Sequence, residues 1–278
     1  MINSFIFSYN MSNKPIKLLI LFLCSSFFLS CDTSQQGPGL MPNLKNGIYG
    51  YVDSTGTVII PHQFQDVRVY MGGRAFVRKK YMWGVINTRG RVVVDFKYDD
   101  VWEPCEGLLV ARKDGFWGFL DSTGREVICF KYAPVQDFSE GRAGASLDGK
   151  WGYINHRGDE IIPFAFDAVS YFHRGLASVA KNGKWGLVDS LGTVVAELKY
   201  EVINGYWMDL IPAKLNGRIG FLGRQGNVAI PFQYEAVIRG FHDGHAVVLL
   251  NGNNLIIDEH GHAVKSLPKS NSGHDHWH

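Results

Sequence analysis

The chain predicts an all-β fold built from seven tandem units, and three observations predict it. Six dipeptides, Tyr49-Gly50, Trp83-Gly84, Trp117-Gly118, Trp151-Gly152, Trp185-Gly186 and Ile219-Gly220, recur at an unvarying step of 34 residues. An aromatic keeps the same step at Phe64, Tyr98, Tyr132, Phe166, Tyr200 and Tyr234. A glycine that opens an apolar run does so at Gly39, Gly73, Gly107, Gly141 and Gly175, with Asp209 in that place once and Gly244 one residue late. Such a period marks one supersecondary unit copied in tandem, each copy burying its apolar face against its neighbours.

The first unit is complete, because Leu40-Met41-Pro42-Asn43-Leu44 aligns with Leu210-Ile211-Pro212-Ala213-Lys214. The last carries one added residue between Tyr234 and Gly244, which moves Gly252, Asn254 and Gly261 to a step of 35. Seven three-stranded meanders over residues 39–265 follow, stacked as a curved open array, with a closed propeller-like ring as the alternative. A ring leaves no long sheet edge exposed. Atypical end units, with Tyr49 in the first and Asn254 in the last, point to the open array, and a propeller blade usually needs about 40 residues or more.

The N-terminal 30 residues read as a lipoprotein-type signal peptide, with Met11 as an alternative start. Lys14 and Lys17 precede an apolar run from Leu18 to Leu23 that continues through Phe27, Phe28 and Leu29, the length of a secretory segment and too short to span a bilayer. The run ends at Leu29-Ser30-Cys31, which resembles the lipobox of bacterial lipoproteins, with Phe28 where leucine is usual. That resemblance implies a diacylglycerol on Cys31, and residues 32–38 as a flexible tether. Several acyl chains together anchor a protein firmly to a membrane.

Within a unit, the first strand is Leu176 to Lys181 in its best copy, with Ala177 and Val179 on one face. Asn182-Gly183 then supplies a two-residue hairpin turn, repeated at Asp114-Gly115, Asp148-Gly149 and Asn216-Gly217. The second strand, Lys184 to Asp189, carries the Trp-Gly pair. Its indole removes about 150–250 Å² from water if buried, and glycine beside it admits a close backbone. Packing is the preferred reading over a row of exposed rings stacking on sugars. An Asp/Asn-x-x-Gly turn follows, as at Asp53, Asn87, Asp121, Asn155, Asp189 and Asp258. The third strand is expected to stop at Pro61, Pro163 or Pro231, or to lie at a sheet edge.

Lys150-Trp151-Gly152-Tyr153-Ile154-Asn155, Gly158, Ile161-Ile162-Pro163, Phe166-Asp167, Gly175-Leu176-Ala177 and Val179 resemble the WG-containing, or KWG, repeat of bacterial proteins. The resemblance implies a β-repeat protein and assigns no reaction. Once Lys14 and Lys17 leave with the signal, 26 of the 28 Lys and Arg remain against 26 Asp and Glu, so nothing favours a nucleic-acid partner. Cys105 and Cys129 read as two buried thiols. The flexible tail, residues 266–278, holds His274, His276 and His278, whose metal affinity would be incidental. No metal site, cofactor or catalytic constellation is expected, since the repeated aspartates fill turn positions that asparagine also fills. Glu103, Glu106, Glu140, His173 and His242, in the loops that vary most, are the candidate binding surface.

These readings combine into an expectation: a non-catalytic, lipid-anchored protein of the bacterial cell envelope that offers its repeat surface to another protein or a glycan. A hydrolase or lyase with its site in the central channel of a ring is the alternative. A plain spacer would have uniform loops, whereas Val101 to Glu106 and Ser170 to Arg174 differ.

Overall fold

The computed structural model describes residues 39–68, 72–203 and 209–267; the expected signal peptide, Cys31 with its tether, and most of the histidine tail lie outside them. The described residues form seven antiparallel sheets in tandem and no helix. The fifth shows the plan: Ala168–Val169, Leu176–Lys181, Lys184–Asp189 and Val194–Tyr200 pair in chain order. The three long strands are those the alternation predicted. The short leading strand is an addition, drawn from the loop between units, and it makes five of the seven sheets four-stranded. In the fourth sheet two isolated bridges, Val135 to Ala145 and Ser139 to Arg142, take its place.

Turn chemistry fixes the hairpins. Asn182 and Gly183 have φ of 54° and 72°, the paired positive values of the twisted two-residue turn. The Asp-x-x-Gly turn is held by the aspartate itself: Asp121 Oδ1 accepts from the backbone N–H of Thr123 at 2.8 Å and of Arg125 at 3.0 Å. With the Thr123 hydroxyl as the leading cause, these bonds lower the Asp121 carboxyl to about 2. Asn87 and Asn155 make the same two backbone bonds, which is why asparagine substitutes there.

The third strand lies at the sheet edge, as its proline allows, but does not stop there. In the fourth unit Tyr153 faces Ile162 but Trp151 faces Phe166, so two extra residues bulge out and the strand resumes beyond Pro163. Pro61 and Pro231 occupy the same bulge, where no ladder hydrogen bond is asked of them. The bulge folds the third strand's backbone over the glycine of the Trp-Gly pair. A Cβ there would lie 2.5–2.7 Å from a main-chain carbonyl oxygen at Gly50, Gly84, Gly118, Gly152, Gly186 and Gly220 alike. The seventh unit is the internal control. It has Leu255 in place of glycine, and there Asn254 faces Leu267 and Leu255 faces Ser266 without the double bulge.

Each sheet packs its two faces differently. Tyr51, Ile60 and Phe64 of the first sheet meet Ala75, Val77 and Ile86 of the second, and the same positions repeat through all six junctions. Across the junctions the terminal aromatic stacks on a bulge residue of the next unit, as in Phe64–Phe96 at 6.3 Å and Tyr132–Phe164 at 6.0 Å. Among the described residues no core cluster joins the seventh sheet to the first. Met41 is 51% exposed where Ala75, Leu109, Ala143, Ala177, Ile211 and Ala246 are buried. At the other end Lys265 stands exposed where earlier units bury Ile60, Val94, Ile128, Ile162, Ala196 or Ile230. Met41 and Lys265 exposed at the two ends, with no core cluster joining those ends among the described residues, mark an open array rather than a ring.

The cysteines do not read as two buried thiols. Cys105 ends the short strand of the third sheet and is half-buried, while Cys129 sits exposed in the bulge of the same sheet's last strand. Three strand spacings separate those edges, about 14 Å at ~4.8 Å each, beyond the reach of a disulfide without rearrangement.

Candidate functional site

The repeat core is the frame that carries the variable surface. Trp83 is buried, whereas Tyr49, Trp117, Trp151, Trp185 and Ile219 are half-buried at the sheet ends. The deepest aromatics are instead the residues two positions on, Tyr51, Phe119, Tyr153 and Phe221. The Tyr153 hydroxyl donates to the Ser170 carbonyl at 2.7 Å, and that of Tyr51 to the Arg68 carbonyl at 3.1 Å. In this way the cores of the first and fourth units hold the leading segments of the next ones in place.

The five residues singled out from sequence are not brought together, for they belong to the third, fourth, fifth and seventh units. Glu106 and Glu140 act as staples between units. The Glu106 carboxylate accepts from Gly141 N–H at 3.0 Å, and Glu140 accepts from Gly175 N–H at 2.8 Å and from Arg174 N–H. Glu106 also lies 3.1 Å from His156 Nε2, whose ring stacks on Phe138 at 4.2 Å. Further along the same edge, Arg174 pairs with Asp209 at 3.2 Å. His173 exchanges backbone hydrogen bonds with Leu176 at the tip of the fifth unit. His242 lies at the end of the seventh unit's leading strand, 3.5 Å from Asp243.

Glu103 belongs to a row that the sequence reading only partly saw. Glu103, Asp137 and Tyr171 hold one position in successive units, and Arg68, Trp102, Gln136 and Ser170 hold the preceding one. Burial pushes the Asp137 carboxyl up, and the charge of Glu103 adds to the shift. Arg68 is held between two indoles, 4.3 Å from Trp83 and 4.6 Å from Trp102, and its guanidinium binds Asp100 at 2.7 Å. Trp102 and Tyr171 are 38% and 46% exposed. Trp102 stands outside the period, and that was the available signal. The row therefore presents aromatic rings and carboxyl groups at matching positions of successive units. Among the described residues no cluster of three or more metal-ligating side chains occurs.

The model of the WG containing repeat family matches residues 49–82, 83–115, 117–151, 151–185, 185–218 and 219–253. The chain belongs to that family of tandem β-repeat proteins. The matched segments begin at the second strand, so the last stops before Asn254, where the Trp-Gly pair is missing. No curated protein matches the sequence. Among solved structures, the crystal structure of a eukaryotic initiation factor matches with a TM-score of 0.49 at 9% identity, covering 83% of this chain and 73% of that one. Hsv2p of Kluyveromyces lactis gives 0.39 at 10% identity, with 68% and 71% covered. The extracellular domain of a one-component system from B. thetaiotaomicron gives 0.36 at 8% identity, with 82% of this chain and 41% of that chain covered.

Proposed function

We propose that the protein is a non-catalytic, lipid-anchored component of the bacterial cell envelope whose β-repeat array binds another protein or a glycan. One observation carries the binding half: a uniform frame displays non-uniform side chains. The turns and junctions recur unit after unit, while the leading segments change from Trp102 and Glu103 to Asp137, then Tyr171, then Arg239. A spacer has no use for such variation, and varied loops on a rigid scaffold are where recognition concentrates.

The anchor half rests on Lys14, Lys17, the apolar run and Leu29-Ser30-Cys31. Cys31→Ser is expected to abolish acyl labelling and release the protein from the membrane fraction, followed by radiolabelled fatty acid and by fractionation. Unchanged labelling and fractionation would remove the anchor from this reading and leave the binding surface.

A further inference from the structure

The seventh unit departs from the repeat in several ways that meet at one place. Its added residue is a bulge at Ile238: Val237 faces Val248 and Arg239 already faces Val247, and a second irregularity follows before His242 faces His245. Bulges of this kind re-aim side chains and are frequent beside functional sites. On the sheet's outer face Lys265 replaces the buried aliphatic of earlier units. Arg239, Lys265, His242 and His245 line a concavity of about 420 Å³ together with Ile256 and Val264. No side-chain hydrogen bond or ion pair of Arg239 or Lys265 occurs among the described residues. Asp243 is the one carboxylate in the lining; His242 Nε2 lies 3.5 Å from it, and its main-chain carbonyl accepts from His245 Nδ1 at 2.8 Å.

We infer that this concavity is a binding site for carboxylate-bearing sugars, such as a uronic-acid segment of an acidic glycan. The inference rests on the binding reading above and gives it a place and a ligand class. A guanidinium presents paired donors that match a carboxylate, and the Lys265 ammonium, on the opposite edge strand of the same sheet, offers a second positive charge to another carboxylate of the oligomer. Ile256 and Val264 offer an apolar wall to the C–H face of a sugar ring. The volume falls in the range of sites for small ligands. The location is also consistent: all the lining residues belong to the seventh unit.

The test is calorimetric titration of the full-length protein, in detergent and at physiological salt, with an oligogalacturonate and with its fully methyl-esterified form. The charged oligomer is expected to bind at least ten-fold more tightly than the ester. Arg239→Gln combined with Lys265→Gln is expected to remove at least ten-fold of that affinity while leaving the melting temperature unchanged. Equal binding of acid and ester, indifference to the double substitution, or no binding of the acid would overturn the inference. Equal competition by inorganic phosphate would overturn the sugar assignment in favour of a general anion site. If the array retains a protein or neutral glycan while the oligogalacturonate does not bind, this inference fails and the broader reading stands.

Discussion

Gly152→Ala is expected to destabilise the protein by about 3 kcal/mol, the upper part of the range for overpacking a core. The added Cβ would lie 2.6 Å from the Ile162 carbonyl oxygen and 2.9 Å from both the Phe164 nitrogen and the Pro163 carbonyl carbon. All three are main-chain atoms, so no side chain can turn aside to make room. Relief requires moving the bulge, and the bulge carries Phe164 onto Tyr132 of the preceding unit at 6.0 Å. The strain would therefore reach the junction as well as the hairpin. The seventh unit supplies the contrast, because Leu255→Gly removes a side chain from a regular pairing. It should cost about 1 kcal/mol for glycine inside a strand and about 1–2 kcal/mol more for the lost packing of the half-buried Leu255 side chain, with no main-chain clash to relieve. Urea titration of both variants measures the difference. A Gly152→Ala protein as stable as the parent would mean that the bulge does not require the glycine.

Tyr153→Ala is expected to cost about 3–5 kcal/mol, the range for deleting a buried aromatic ring. Tyr153 is fully buried, packs edge-on against Phe172 with centroids 4.8 Å apart, and anchors the next unit through Ser170. Tyr153→Phe keeps the ring and loses the hydroxyl, so about 1 kcal/mol should go. In a linear array each unit contacts only its neighbours, and a weakened junction divides the cooperative unit. The alanine variant should therefore also lower the slope of the urea transition, since less surface is exposed in the first step. A loss below about 1 kcal/mol with an unchanged slope would show that the junctions do not depend on this residue.

Much of the frame was legible because its determinants are local. Period-2 alternation located the long strands, and Asn182-Gly183 and Asp121-x-x-Gly124 named their turns by backbone conformation. The bulge was not legible. It depends on where the third strand resumes pairing after Pro163, which is a matter of register between strands. The short leading strands were missed for a related reason, since two residues such as Ala168–Val169 carry no periodicity of their own. Glu106 and Glu140 illustrate the limit for function. Their variability marked them as surface residues, but that they cap the neighbouring unit's turn follows only from stacking. Arg239 and Lys265 lie 26 positions apart, and only the folded seventh sheet brings them to one concavity.

The most direct test of the account is equilibrium binding of the full-length protein to envelope polysaccharides and to purified envelope proteins. The wild type would be compared with a Trp102→Ala, Tyr171→Ala and Arg239→Ala variant. These three side chains lie on the leading strands or the loops beside them and outside the junction clusters. Saturable binding by the wild type is expected, with the variant losing most of it at an unchanged melting temperature. A wild type that binds nothing, or a variant that binds equally well, would contradict the claim that the variable edge of the array is its working surface.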